Sequence, residues 1–499
     1  VDTDDEQVPV VIIPGPPAEI RETHSGIVVL VGDRAFKFKK PVDLGFLDFR
    51  TEAARRRVCW RELELNRRLA PDVYLDVATL AGSDGQVDEH VIVMRRMPEA
   101  LRLSTMVRRG ADVEGDLRQL ARSIAEFHAG AERGPQIAAA GRAAALRHRW
   151  TDNLAETEKF LGTTMDTRLH QRIGELALGY IDGRALLLAD RAARGMIVDG
   201  HGDLIAEDIF CLPDHPRVLD CLEFDDQLRF VDVLDDVAFL AMDLDYLGRP
   251  DLAEHFLDCY REFSGTDTAT SLQHHYIAYR AFVRAKVSCI RAAQGVPTAA
   301  AEADGHARLA LAHLEAGEVT LTLVGGAPGT GKSTLAAGLA EHFDAVLLRS
   351  DTIRQELVGT DPGDRYSDQS KMATYQELLG RARLALETGH SVIADATWAG
   401  AAVRELASEV ARASRSRLIA IECTAPLDLS AARAQHRLEG GEDVSEAGTV
   451  IARQLATSRD PWPEASSIDT STSAAKSLVA AGDLFPRRLR PHVVSTLPS

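Results

Sequence analysis

Residues 326–333 read GAPGTGKS and match the pattern GxxxxGK[ST] at every fixed position. No other stretch restricts the fold as tightly. The pattern works only where a strand runs into a glycine-rich loop and a helix leaves it. Both flanks are present: Val319 to Val324 is an apolar strand-like run, and Lys332 to Leu339 reads as the opening of a helix. In that context the backbone N–H groups of Gly326, Ala327, Pro328, Gly329, Thr330 and Gly331 (proline excepted, which has none) face one concavity. The helix N-terminus adds a positive field. Lys332 then reaches terminal phosphates and Ser333, followed by Thr334, offers a hydroxyl to Mg2+. The competing reading is a glycine-rich turn with a surface lysine. The expected ligand is ATP with Mg2+.

From Glu318 onward apolar runs alternate with helical segments. The runs are VTLTLVGG, AVLLRSD, HSVIADAT and RLIAIECT. That alternation predicts an α/β, doubly wound parallel sheet. Ligands in such sheets sit outside the carboxyl ends of the strands. Asp351 in LLRSDTIR and Asp395 in VIADAT fall at such ends. Asp351 could orient or deprotonate an acceptor hydroxyl, with Arg354 one helical turn on to hold an acidic group. Asp395 could position Mg2+. Each aspartate could instead cap a helix. Arg433 and Arg437 stand one turn apart ahead of a Gly-Gly loop and a second helix. They suit a lid over a transferring phosphate, or else a solvated basic face. Residues 318–470 resemble the small P-loop kinases, a group that includes gluconate, shikimate and adenylate kinases and the kinase domain of polynucleotide kinase. The SDTIR element resembles the last of these and the zeta-toxin kinases. The resemblance implies Asp351 as base, Arg354 as a substrate contact and Arg433 or Arg437 as lid arginine. Motor ATPases usually carry a second acid after the third strand; here Ala396 follows Asp395, which favours a kinase.

A second set of phosphate-handling signals lies upstream. In HGDLIAEDIFCLPDHPRVLDCLEFDD (201–226), Asp203 and Asp208 are five residues apart. That is the interval between catalytic base and metal ligand in a kinase catalytic loop. A hairpin predicted around PDHP would return Asp220 beside Asp208. On RAFKFKK, period two puts Lys37 and Lys39 on one strand face, and the A-x-K pattern favours Lys37. Glu62 falls on the apolar stripe of Val58, Leu65 and Leu69 and needs a partner there; Lys37 is the natural one, and Glu64 points elsewhere. These residues resemble the aminoglycoside phosphotransferase-like (choline kinase-like) kinases over roughly residues 20–300. The resemblance carries Lys37, Glu62, His201, Asp203, Asp208 and Asp220. It departs from the family's HGDLHxxN pattern: Ile205 replaces the second histidine and Asp208 the asparagine, adding negative charge beside Asp220. The only glycine-loop candidate is THSG (23–26). The whole chain resembles an actinobacterial bifunctional type, phosphotransferase-like domain first and P-loop domain second.

At 499 residues the chain is too long for one ordinary core. The expected division is a small strand-rich lobe over 1–97, a helical lobe over 98–305 and a linker over 306–317. A P-loop kinase-like domain over 318–475 and a tail over 476–499 follow. The expected fold class is thus an α+β bilobal kinase-like domain plus an α/β P-loop domain. A net charge of −18 argues against broad binding to nucleic acid or anionic membrane, although nucleic acid stays possible as acceptor of the second domain. Six cysteines without CxxC spacing, an N-terminus without signal-peptide layout and no long apolar run suggest the cytoplasm. The function expected is ATP- and Mg2+-dependent phosphoryl transfer to a small hydroxylated molecule, with two potential nucleotide sites. The alternatives are a working P-loop kinase with a non-catalytic first domain, or a nucleotide-binding switch with no acceptor.

Overall fold

The computed structural model describes residues 18–22, 26–42, 48–81, 87–358, 367–440 and 459–485. Residues 23–25 of the THSG stretch, the loop and second helix after Arg437, and the tail beyond 485 lie outside the described residues. So does the side chain of Arg437.

The chain opens with β1 (Glu19–Glu22), β2 (Gly26–Val31), β3 (Arg34–Lys39), α1 (Glu52–Asn66), β4 (Tyr74–Ala81) and β5 (Val87–Arg95). Helices α2 (Leu103–Arg108), α3 (Glu114–Gly130), α4 (Pro135–Ala140), α5 (Ala143–Thr157), α6 (Thr167–Gly183) and α7 (Ala185–Ala193) follow. Four short strands come next: β6 (Ile197–Asp199), β7 (Ile209–Cys211), β8 (Pro216–Val218) and β9 (Phe230–Asp232). Then come α8 (Val233–Tyr246), α9 (Pro250–Ser264), α10 (Thr270–Ala293) and α11 (Ala299–Ala316). The remainder alternates: β10 (Thr320–Gly325), α12 (Lys332–Phe343), β11 (Val346–Arg349), α13 (Ser350–Val358), α14 (Asp368–Glu387), β12 (Val392–Asp395), α15 (Ala401–Ala413), β13 (Arg417–Thr424), α16 (Leu427–Gly440), β14 (Ser466–Asp469) and α17 (Ala474–Gly482).

Two compact units result. One comprises Val1–Gly130 with His201–Arg229, the other Ala131–Gly200 with Phe230–Ser499. In the first, β1 to β5 form an antiparallel sheet in the order β1-β2-β3-β5-β4. The turn between β2 and β3 places Gly32 at φ 56°, a conformation that suits a residue without Cβ. Helix α1 starts where the Thr51 hydroxyl accepts from the Ala54 N–H, an N-cap that satisfies a free donor. It stops at Asn66, short of Leu69 at the end of the apolar stripe, because Pro71 disfavours helical backbone just ahead of it. Cys59 and Leu63 of α1 pack on Leu30, Ile92 and Met94 of the sheet, together with Phe210 and Leu219 of the β7–β8 hairpin.

In the second unit five strands run parallel in the order β11-β12-β10-β13-β14. Every residue of β10 is buried, as expected for a central strand covered on both faces. Leu335 and Leu339 of α12 pack on Val324, Ile393 and Ile421. Residues 306–316, expected as linker, are the second half of α11, tied to neighbouring helices by His306 stacked on Tyr246 and His313 bonded to Asp245. The fold class is therefore an antiparallel-sheet lobe with kinase-like elements and a doubly wound P-loop domain. Among the described residues no helix is long and apolar enough to cross a membrane.

Candidate nucleotide and phosphoryl-transfer sites

In the first unit, strand periodicity sends Lys37 and Lys39 to the same side, and α1 meets both with one carboxylate. Glu62 is fully buried; its Oε1 lies 2.7 Å from Lys37 Nζ and its Oε2 2.5 Å from Lys39 Nζ. Lys37 also pairs with Asp220, and Lys39 with Glu223 Oε1 at 2.5 Å. Sequence reasoning placed Lys37 against Glu62 but missed Lys39 and Glu223. Period two and the LEF step after Asp220 were the available signals. Glu64 is solvent-facing and pairs with Arg61. Burial alone would deprotonate these lysines, but the surrounding carboxylates outweigh it. Asp220 and Glu62 hold Lys37 well above its ordinary pKa, and Glu62 and Glu223 raise Lys39.

Asp220 adopts φ 62°, a strained conformation for a residue with a side chain. It is pinned there: its N–H donates to the Tyr74 hydroxyl at 3.2 Å, and the next N–H, of Cys221, donates to Asn66 Oδ1 at 2.9 Å. Burial favours the neutral acid, yet Lys37 keeps Asp220 below the usual carboxylate range. Asp203 follows Gly202, whose φ of 84° and close approach to Leu228 O leave no comfortable place for a Cβ. The Asp203 N–H donates to His201 Nδ1 at 3.3 Å while the opposite ring nitrogen, Nε2, lies 3.2 Å from Leu219 O. His201 therefore braces the Asp203 loop against the strand that delivers Asp220. Asp208 ends a short 3-10 turn, and its carbonyl accepts from Leu219 N at 2.9 Å. Burial, then Asp220 and Asp203, push its carboxyl well above the ordinary range. The structure thus brings Lys37, Glu62, Asp203, Asp208 and Asp220 together, with the extra acid at 208 felt as like-charge strain.

In the second unit the loop after β10 turns through Gly326, Gly329 and Gly331 at φ 149°, 82° and 81°. A Cβ on Gly329 would sit 2.0 Å from Ser430 O, so only glycine fits. Ala327 and Pro328 complete the bend, and the Thr330 hydroxyl donates to Ala327 O at 2.8 Å. Lys332 and Ser333 open α12, with Thr334 lining an adjoining cavity of about 390 Å3 together with Gly331, Arg433, His436 and Thr470. Parallel pairing sets Asp395 beside Val324, one strand away from the loop. Asp395 is buried. Burial raises its pKa, and Lys332 and a hydrogen bond from Ser333 oppose that rise. One oxygen, Oδ1, finds no hydrogen-bond partner among the described residues. Asp351 lies in the first turn of α13, directly after β11, and its charge reaches Asp395. Arg354 bonds Asp351 at 2.9 Å rather than standing open toward an acceptor. Arg437 lies on α16; one turn earlier, Arg433 donates to Thr470 O at 3.1 Å. Thr470, whose hydroxyl donates to Thr330 O and Thr424 O, was missed because it follows a strand too short to read in the sequence.

The two constellations thus sit on an antiparallel-sheet unit and on a doubly wound parallel-sheet domain of one chain. The model of the AAA domain family matches residues 321–461. Uncharacterized proteins of Mycobacterium tuberculosis and Mycobacterium bovis are 44% identical over 469 residues, covering 92% of this chain and 94% of theirs. The chain belongs to the family of these mycobacterial proteins. Among solved structures, a choline/ethanolamine kinase family protein from Mesorhizobium loti is 16% identical over 60% of this chain and 92% of its own, with a TM-score of 0.38. A gluconokinase from Sinorhizobium meliloti is 13% identical over 33% of this chain and 89% of its own, with a TM-score of 0.26.

Proposed function

We propose that the chain is an ATP- and Mg2+-dependent phosphotransferase acting on small hydroxylated molecules, with a nucleotide site in each domain. One observation carries this reading: Lys332 and Ser333 open a helix behind a three-glycine loop, with the buried Asp395 carboxylate at their side. Backbone donors and Lys332 would hold the triphosphate. Asp351 would orient or deprotonate the acceptor hydroxyl, and Arg354 would set the position of Asp351. Arg433, and Arg437 on the next turn, would cover the phosphates. In the first domain Lys37, fixed by Glu62, would hold phosphate, and Asp203 would receive the acceptor proton. The residues present fit a divalent cation: Asp395 Oδ1 is buried without a partner among the described residues, beside the Ser333 hydroxyl, and Asp208 is crowded by the carboxylates of Asp220 and Asp203. Bound magnesium would neutralise charge on the phosphates. Phosphoryl transfer depends mainly on placement and charge neutralisation, so these positions supply most of the chemistry.

The test is ATP consumption across a panel of small hydroxylated metabolites with Lys332→Ala and Asp203→Ala chains. Acceptor-dependent turnover lost separately in each variant supports two kinases. Turnover lost only in Lys332→Ala leaves the first domain as a binding module. Turnover indifferent to every acceptor supports a nucleotide switch.

A further inference from the structure

A groove of about 430 Å3 lies within the second unit, between α6 and α10 on one side and the α15–β13 connection on the other. It is lined by residues at the starts of β10 and β13, Val319 and Arg417 among them. The glycine loop follows the opposite end of β10. Six residues of strand separate the two, a distance of roughly 20 Å. Nucleotide at the glycine loop therefore does not fill the groove.

The groove wall holds a buried cation that no carboxylate among the described residues pairs with. Arg184 is 1% exposed. Its guanidinium donates to Ser414 O and to Ser416 Oγ at 3.3 Å, both neutral, while Nε has no acceptor. Desolvation lowers its pKa, and the influence of Glu387, itself paired with Arg383, does not restore it. A buried guanidinium with neutral partners and an idle N–H is costly unless something anionic meets it.

A second idle donor stands beside it. His275, 2% exposed, accepts from Trp150 Nε1 at 3.2 Å through its own Nε2. In the neutral ring the proton then sits on Nδ1, and Nδ1 has no partner. Burial and the nearby Arg184 keep the ring neutral by lowering its pKa to about 3. Tyr180 joins the two: His275 stacks on its ring at 4.5 Å, and Arg184 lies 5.3 Å from the ring centre. The Tyr180 and Ser271 hydroxyls bond each other, and Ser271 also bonds Gly389 O, so neither is idle.

Three exposed arginines, Arg412, Arg415 and Arg417, stand at the rim. Two acids also line the groove, and both are engaged: Glu318 with Arg417 at 3.4 Å and Glu175 with Arg172 at 3.6 Å. Arg412 also pairs with Glu405 at 3.3 Å on its own helix, so the positive balance of the groove rests on Arg184 and Arg415. The inner wall offers donors in need of acceptors. Guanidinium forks match phosphate oxygens, and the volume suits a metabolite-sized ligand.

We propose that this groove binds a small phosphorylated anion, with Arg184 and His275 as its inner contacts and Arg412 and Arg415 at its mouth. The site stands on residues apart from both nucleotide sites and does not depend on their activity.

Inorganic pyrophosphate is titrated calorimetrically into the full chain carrying Lys332→Ala, which keeps the glycine loop from taking the probe. Adding Arg412→Ser and Arg415→Ser, both at exposed positions, should weaken binding at least 10-fold; Arg184→Lys should also weaken it. In the chain with native arginines, pyrophosphate should shift the side-chain 15N resonances of His275. Unchanged affinity in the rim variant, or an unmoved His275 signal, overturns the proposal. Binding only at tens of millimolar, equal for sulfate and pyrophosphate, marks an adventitious ion only and overturns it as well.

Discussion

The two candidate sites solve the same electrostatic problem in opposite ways. The first holds its phosphate-facing lysine inside a mesh of side-chain charge: Lys37 and Lys39 share Glu62, and Asp220 and Glu223 close the ring. The second relies on backbone. Its loop turns through three glycines at positive φ, and a single buried acid, Asp395, stands beside Lys332 and Ser333. A mesh of paired side chains is fragile to the loss of any member, because the survivor is left buried and uncompensated. A backbone cradle tolerates side-chain change but depends on a handful of glycines and one lysine.

Substitutions should separate the two designs. The largest effect on activity is expected from Lys332→Ala: nucleotide turnover by the second domain should fall about 100-fold or more, since a group acting on the transferring phosphate is removed. Its thermal stability should be nearly unchanged, as read by calorimetric melting. Glu62→Ala should do the reverse damage, destabilising the first unit by about 3–5 kcal/mol because two lysines lose their shared partner. Denaturant unfolding monitored in the full chain checks this, and a Glu62→Ala chain that melts like the parent would break the contrast.

Smaller effects come from pH, and they too differ between the units. Asp208 has its folded-state pKa raised by burial and by Asp220 and Asp203. Ionising it therefore costs stability once pH rises above its unfolded value, and Asp208→Asn removes that cost. Asp208→Asn should raise the melting temperature by a few degrees near pH 7, with no gain near pH 3. In the second unit burial depresses His274 and His275 to about 3 and His306 to about 4. Unfolded histidines take up protons below about pH 6.5 and these folded ones do not. The second unit should therefore lose stability as pH falls from about 6.5 toward 4, seen as a downward shift of its melting transition.

Much of this was legible in the chain. The glycine loop, with strand and helix on either side, was plain because each requirement is local. Lys37 and Glu62 could be read because strand and helix periodicity predict which side chains share a face; Asp203, Asp208 and Asp220 were read from the interval of a kinase catalytic loop, a predicted hairpin and the family resemblance. Lys39 and Glu223 were hidden because their pairing joins segments 184 residues apart. Thr470 was hidden because β14 is too short to read in the sequence and because its partners Thr330 and Thr424 meet it only through the order of strands in the sheet. The end of α1 at Asn66 is not legible from the apolar stripe, which continues to Leu69, because the effect of Pro71 reaches back beyond its own position. Arg354 was expected to face an acceptor; its bond to Asp351 follows from i,i+3 geometry on α13, which a spacing alone does not rank above an external contact.

The most direct test titrates a non-hydrolysable ATP analogue with Mg2+ into the full chain and into its Lys332→Ala form by isothermal calorimetry. Two binding events in the parent, one of them abolished by the substitution, are the predicted result. Identical isotherms for the two proteins would contradict the account.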